Sequence, residues 1–169
     1  MAFTLDQIGQ YLTAMELRFD YDKEQALILT WISYEEEKGM VFIRELKDGA
    51  IFSLELDPLV DAGDWEFDVE MSHKHIHLLL PQLLYANYQT KIGSWEYDPK
   101  DGDIRFTIEI PLDDAPITYK QFQSIIESTK RALKEAFGFK EIITTGKIPQ
   151  SNYHNELLTE LYSIMERYK

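Results

Sequence analysis

Three histidines at alternate positions, His73, His75 and His77, are the residues whose type and spacing come nearest to a chemical site. In an extended backbone their imidazoles would share one face and could bind a metal ion, whereas in a helix only His73 and His77 would be neighbours. The apolar residues that follow favour a helix, and Lys74 stands where a metalloprotease motif needs a glutamate. The pattern therefore favours imidazoles at the solvent boundary of a helix start. A metal-binding protein or a metal-dependent hydrolase that uses these three histidines is the alternative.

Two acidic clusters, at residues 35–37 and 98–103, are the other groups that could bind a cation. Consecutive glutamates in a turn, as at 35–37, are typical of a solvated loop. The second cluster lacks the bidentate glutamate and the spacing of an EF-hand, and its proline and Asp-Gly pair favour a hairpin turn. The chain also has no cysteine, no nucleophile elbow, no phosphate loop and no dinucleotide fingerprint. The sequence thus predicts no enzyme and no cofactor.

Length, composition and charge favour one globular domain with a protein partner. The chain has 169 residues, 44% of them hydrophobic, which is enough for a core without disulfides. A net charge of −13, carried mostly by residues 1–90, would repel a phosphate backbone, so we expect no nucleic-acid binding. No secretory signal and no apolar run of membrane-spanning length are visible, so we expect a cytoplasmic protein without a membrane contact. An acidic surface is typical of a soluble protein, and a partner of basic character is the more specific alternative.

The spacing of apolar residues predicts a helix and then three strands in the first third of the chain. A helical stripe begins at Leu5 and reaches Phe19. Residues 26–33 are apolar on both faces, as in an interior strand, and residues 40–46 and 50–56 follow after short turns. Three sequential strands joined in this way predict an antiparallel meander.

A further strand and a second helix are predicted next. Residues 65–71 alternate strictly between apolar and acidic side chains, which predicts a strand with an anionic outer row. The second helix runs from about residue 75 to residue 88 and contains Pro81, which can start or kink a helix.

The clearest local signals lie between Ser94 and Phe137. A strand at 91–97, a hairpin turn and an alternating strand at 104–110 lead to Thr118, which with Gln121 forms a capping box. The helix that follows is expected to stop at Gly138.

A last helix is predicted over residues 151–168, with an apolar stripe made of Leu157, Leu158, Leu161, Ile164, Met165 and Tyr168. The order α-β-β-β-(β)-α-β-β-α plus a C-terminal helix predicts an α+β fold, with helices on an antiparallel sheet. We assign residues 1–148 to this domain and residues 149–169 to an amphipathic helical extension.

The sequence Gly-Ser-Trp-Glu-Tyr-Asp-Pro-Lys-Asp-Gly-Asp-Ile at 93–104 carries a resemblance to a known family, with looser support at 83–91 and 110–116. Over residues 4–137 the chain resembles the YbjN-type proteins, proposed sensory transduction regulators with the class I type III secretion chaperone-like fold. The resemblance implies that fold, an acidic homodimer and an interaction role. It brings no catalytic motif.

Sequence and resemblance together predict a non-enzymatic protein-binding module, chaperone-like or regulatory, that captures a polypeptide partner or a second copy of itself. Trp65, Phe67, Trp95 and Tyr97 are the candidate partner contacts, because aromatic residues are enriched at the centres of interfaces. Each of the four could instead be packed in the core or paired across strands.

Overall fold

The computed structural model describes residues 5–35, 37–46, 50–58, 69–112, 115–148 and 163. Its first half contains helix α1 (Leu5–Ala14) and strands β1 (Phe19–Asp22), β2 (Leu27–Tyr34), β3 (Glu37–Leu46) and β4 (Ile51–Asp57). Its second half contains helix α2 (Ile76–Gln89), strands β5 (Ser94–Tyr97) and β6 (Ile104–Pro111), and helix α3 (Tyr119–Thr145). None of the helices in these ranges is long and apolar enough to cross a membrane.

The strands form one six-stranded antiparallel sheet in the order β1-β2-β3-β4-β6-β5. The predicted meander is confirmed as β2, β3 and β4, in which Phe42 lies opposite Leu29 on one side and Glu55 on the other. The hairpin of β5 and β6 joins this meander through pairing of β6 with β4. The predicted α+β class is therefore confirmed.

Strand β1 was not predicted from the sequence. Phe19 was placed on the stripe of the first helix, but α1 ends at Ala14, Glu16 takes a positive φ of 58°, and Phe19 opens β1. Its ring still packs on α1, because a Cβ added at Gly9 would lie 3.2 Å from it. Phe19 contacts α1 from β1, but its distance in sequence from the apolar residues of α1 equals that of a residue on the same helix face. For this reason Phe19 was assigned to the helix.

One face of the sheet is buried under α1 and α3. The side chains of this covered face alternate with more exposed ones along every long strand, as the period of two requires. The buried set of the sheet includes Ile28, Ile32, Val41, Ile43, Phe52, Leu54, Leu56, Ile104, Phe106 and Ile108. Phe52 of β4 meets Phe122 of α3 edge to face, with 6.4 Å between ring centroids.

Helix α3 begins as predicted and ends later than predicted. Thr118 and Gln121 form the expected capping box. Gly138 does not end the helix; the chain continues to Thr145 and is capped by Gly146, whose φ is 70°. A glycine inside a helix costs only about 1 kcal/mol. Burial of Phe139 and Ile142, which continue the apolar stripe, outweighs that cost.

Helix α2 begins close to the predicted position and continues through Pro81. Proline removes one backbone hydrogen bond there, but the helix is held by packing, since Leu79, Leu83 and Ala86 are buried. Pro81 therefore does not start the helix, which was one of the two roles that the sequence allowed; it lies inside α2.

Two predicted elements fall wholly or partly outside the described residues. In the predicted strand at 65–71, Val69, Glu70 and Met71 are described, and none of them is in a strand. Val69 lies against the hairpin turn, where its N–H donates to the Gly102 carbonyl at 2.8 Å. A Cβ at Gly102 would meet the Val69 backbone at 2.7 Å, so this contact needs glycine. The predicted helix at 151–168 is outside the described residues except for Ser163.

Candidate partner-binding surface

The outer margin of the sheet is formed by two strands of different length. Strand β5 pairs with residues 104–107 of β6, and its first residue, Ser94, lies opposite Thr107. Strand β6 continues to Pro111 and pairs with β4 along its inner edge. Within the described residues no strand pairs with the outer edge of β6 from Ile108 onward. This length of unpaired edge is the first component of the candidate surface, which we call the open edge (residues 108–111).

A glycine and a serine fix the path of the chain before β5. Gly93 precedes β5 with a φ of 88°, and an added Cβ there would overlap the Phe106 ring and Ile108. Only glycine can take this conformation without strain and approach β6 so closely. On the next residue back, the carbonyl of Ile92 accepts a hydrogen bond from Ser128 Oγ of α3 at 2.8 Å. The chain is therefore turned aside and anchored at a fixed position.

A cavity of about 540 Å³ lies between this diverging segment and β6. Its apolar lining comes from Ile92, Ile108 and Ile110, and its charged groups are Lys91, Glu96 and Glu109. Glu96 is already engaged, because its Oε2 lies 3.0 Å from Arg105 Nε and its Oε1 accepts from Thr107 Oγ1 at 2.9 Å. An apolar floor with a mixed, acidic rim and an adjacent unpaired backbone is suited to an extended peptide.

Helix α2 places two large apolar side chains in solvent. Leu84 is 69% exposed and Tyr88 is 86% exposed. They are one helical turn apart, so they share one face of the helix, which we call the α2 stripe. In the sequence Leu84 is one of the apolar residues that follow the histidines, and their spacing does not separate the buried side of the helix from the exposed side. The available signal was that the apolar residues of α2 spread over more of the helix than one buried face can hold.

A pair of hydrogen bonds fixes α2 to β5. Asn87 Nδ2 donates to the Trp95 carbonyl at 2.9 Å, and the Trp95 N–H donates to Asn87 Oδ1 at 2.6 Å. One amide side chain thus satisfies both backbone groups of Trp95 on the side that faces α2. The α2 stripe and the open edge are consequently carried by one rigid unit.

The four aromatic residues proposed as partner contacts have different positions. Trp95 is 4% exposed, and its ring packs against Phe106 and Phe139, with centroids 5.5 and 5.0 Å away. Tyr97 is half-buried, and its hydroxyl donates to the Val69 carbonyl at 2.8 Å. Trp65 and Phe67 lie outside the described residues. Trp95 therefore packs in the core of this chain, and the assignment of the four residues as partner contacts stays a prediction.

Trp95 also holds a carboxyl group within the protein. Its Nε1 donates to Glu135 Oε2 at 2.9 Å. Burial raises the pKa of Glu135, while the hydrogen bond from Trp95 and the charge of Arg131 act in the opposite direction. The indole hydrogen bond and the nearby Arg131 charge stabilise the ionised carboxylate against burial.

The three histidines do not converge on a common point. His75 caps the start of α2, and its backbone N–H donates to His73 Nδ1 at 3.2 Å, while their ring centroids are 5.6 Å apart. His77 is exposed on the first turn of the helix. In the described part of the chain no three His, Asp or Glu side chains are grouped as metal ligands. The geometry therefore gives the metal alternative no support.

His75 has a packing role instead. Its ring lies directly against Gly146, where a Cβ would overlap it, so the start of α2 rests on the end of α3. Its Nδ1 is buried and has no hydrogen-bond partner among the described residues. Burial, together with the charges of Lys74, His73 and His77, lowers the pKa of His75.

Two solved structures resemble this chain in shape. A crystal structure of YbjN from E. coli, described there as a proposed transcription regulator, matches with a TM-score of 0.51 and 12% identity over 81% of this chain and 90% of that chain. The HopA1–SchA chaperone–effector complex matches with a TM-score of 0.46 and 9% identity over 74% of this chain and 85% of that chain. No protein-family model and no curated protein sequence matches the chain. The chain thus shares the fold of YbjN, which is the fold that the sequence resemblance implied.

Proposed function

We propose that this protein is a non-enzymatic, cytoplasmic binding module, chaperone-like or regulatory, that captures an extended polypeptide by strand addition to β6. The observation that carries the proposal is the open edge beside a cavity with an apolar floor. An added strand would pair with the backbone N–H and carbonyl of Glu109 and with the carbonyl of Pro111, since the backbone groups of Ile108 and Ile110 face β4. Its alternate side chains would lie towards Ile92 and Ile110. Main-chain hydrogen bonds supply affinity in this mode, and the cavity supplies selectivity.

The charge of the surface favours a basic partner. The whole chain carries −13, and Glu109 stands exposed on the rim of the cavity. Complementary charge accelerates encounter and excludes acidic competitors more than it adds affinity. A peptide that alternates apolar and basic residues therefore fits both the floor and the rim.

The experiment compares two synthetic ten-residue peptides, one alternating valine with lysine and one alternating valine with glutamate. We expect the lysine peptide to bind about ten times more tightly at low salt and to slow exchange of the Glu109 amide, the one N–H of residues 108–111 that faces the unpaired edge. Fluorescence anisotropy measures the affinity and hydrogen-exchange NMR locates the site. Equal affinities, or protection only at the β1 edge, would rule out the proposed mode.

A matched pair of charge reversals separates the local effect from the effect of net charge. Glu109→Lys lies on the cavity rim, whereas Glu127→Lys makes the same change on the exposed face of α3. We expect Glu109→Lys to weaken the lysine peptide about tenfold and Glu127→Lys to weaken it about twofold or less, because screening removes distant charges. Equal effects of the two variants would mean that only overall charge attracts the peptide.

We also propose that a second copy of the chain binds the α2 stripe and forms a homodimer. Two exposed apolar side chains on one rigid helix are suited to a self-complementary contact about a two-fold axis. Light scattering after size exclusion should give about twice the 19.9 kDa of the chain, and Leu84→Lys with Tyr88→Lys should restore 19.9 kDa. A wild-type protein that stays monomeric at high concentration would remove this part of the proposal and leave the peptide site untouched.

A further inference from the structure

The face of the sheet opposite α1 and α3 carries an apolar patch. Its members point away from the covered face at alternate positions of β2 and β3 and are Leu27, Leu29, Trp31, Met40 and Phe42. The register places Leu29 opposite Phe42 and Trp31 opposite Met40, so the side chains are cross-strand neighbours. Trp31 is 43% exposed. We call this set the open-face patch.

No described element of the chain covers this patch. The long helix α3 packs on the other side of β2 and β3, where a Cβ added at Gly39 would lie 2.9 Å from Leu133. Trp31 is exposed and the other four residues of the patch are half-buried, so apolar surface remains on this face for a docked element. The other surface described above, at the open edge and the α2 stripe, lies at the opposite end of the strand order.

We propose that the C-terminal segment, residues 151–168, docks as an amphipathic helix across the open-face patch of its own chain. The segment has an apolar stripe of helical period, formed by Leu157, Leu158, Leu161, Ile164, Met165 and Tyr168. Ser163 lies on the polar side of that stripe, and the structure describes Ser163 as helical and exposed. Both observations fit a helix that buries one face and presents the other to water.

The end of α3 is in the right place to deliver the segment. The Phe139 ring of α3 is 5.0 Å from Trp95 of β5, so the last turns of the helix lie over the marginal strand of the sheet. Gly146 then turns the chain with a left-handed φ of 70°. Gly146 rests against His75 at the start of α2, so the chain would pass that end of α2 to reach the other face of the sheet.

The lengths agree as well. Four strand spacings separate β5 from β2, which is about 19 Å at about 4.8 Å for each spacing. A helix of about 18 residues is about 27 Å long. A helix that starts near the β5 margin therefore reaches Trp31 on β2 with about one and a half turns to spare.

Charge supports the same placement. The Arg44 guanidinium lies over the Phe42 ring, 5.7 Å from its centroid, and leaves its donors at the border of the patch. Glu160 lies at the border of the apolar stripe in the segment. Docking brings a carboxylate to the side of the patch where the sheet supplies a cation. The surface involved differs from the open edge, so the inference holds whether or not a peptide binds there.

The absence of cysteine allows a direct test in the full-length chain. Met40→Cys is combined with Leu161→Cys, and the control pair is Glu127→Cys with Leu161→Cys, since Glu127 is exposed on α3 away from the open face. Under mild oxidation we expect an intramolecular disulfide in the first pair that forms at least about ten times faster than in the control, because the two Cβ atoms must approach to about 4 Å. Equal rates in the two pairs, or a disulfide formed only between two chains, would overturn the proposal.

A second measurement leaves the patch itself unchanged. In a Trp65→Phe background, iodide quenches the fluorescence of exposed Trp31 while Trp95 stays buried. We expect Leu157→Ser with Leu161→Ser to increase the quenching constant about twofold, and Thr159→Ala, on the polar side of the segment, to leave it unchanged. An unchanged constant in the leucine variant would show that the segment does not cover Trp31.

Discussion

Trp95 and Trp31 occupy the two sides of the same sheet and have opposite environments. Trp95 is 4% exposed among Phe106, Phe139 and the Glu135 carboxylate, whereas Trp31 is 43% exposed on the open face. Both lie in strands in which burial alternates from one residue to the next. The difference comes from the helices, which lie on one side only. Residue type therefore does not reveal which aromatic is available to a partner; the layer above it does.

Truncation of Trp95 should have the largest effect on stability. We expect Trp95→Ala to lower the free energy of unfolding by about 3–5 kcal/mol, because it leaves a cavity between β6 and α3. It also leaves the Glu135 carboxylate without its indole donor. Urea unfolding followed by far-UV circular dichroism measures the loss. A loss below about 1 kcal/mol would mean that Trp95 is not part of the core.

Gly93→Ala tests the turn that creates the open edge. A Cβ there would overlap the Phe106 ring, and the positive φ of 88° is unfavourable for alanine. We expect a loss of about 1–3 kcal/mol, with Ser94→Ala as a control close to wild type. Thermal unfolding of the two variants gives the comparison, and equal midpoints would contradict the assigned geometry.

Glu135→Gln should change the pH dependence of stability. Burial raises the pKa of Glu135, so the folded state holds the proton more tightly than the unfolded state does. The group therefore contributes stability below its unfolded pKa, near 4.5, and that contribution is lost as the pH rises through the raised value. Glutamine keeps the acceptor for Trp95 and removes this loss. We expect a flatter stability profile above about pH 4.5 for the variant, measured by urea unfolding at several pH values; a profile parallel to wild type would contradict it.

Trp31→Ala should have the smallest effect among these substitutions. A partly exposed side chain on the open face loses little burial on truncation, and we expect about 1 kcal/mol or less. The contrast with Trp95→Ala, in the same urea series, is a direct measure of the difference between the two faces. Losses of equal size would show that the open face is packed as tightly as the covered one.

Much of the fold was predictable because its signals are local. The alternation at 104–110 predicted β6, and Thr118 with Gln121 predicted the start of α3. The errors occurred where burial overrode local preference. Gly138 lies within α3 because burial of Phe139 and Ile142 stabilises the additional turns. The strand that begins at Phe19 is too short to show a periodic pattern of its own.

The candidate surface was less predictable than the fold. Trp95 and Tyr97 were chosen for their residue type, but Trp95 is packed inside and Tyr97 is half-buried, bonded to Val69. The open edge results from a difference in length between β5 and β6, and the α2 stripe results from which side of that helix meets α3. Neither property can be predicted from a short stretch of sequence, because both depend on contacts between distant segments.

By itself the sequence determined the types of the main elements, the acidic surface and the absence of familiar catalytic motifs, because each depends on residue chemistry or on periods of two and 3.6 residues. The tertiary structure decided which aromatic residues are buried, where β6 lacks a paired strand and which face of the sheet has no described helix packed on it. These depend on how distant segments pack, and burial in a layered fold is set by the partner across the interface as much as by the residue itself.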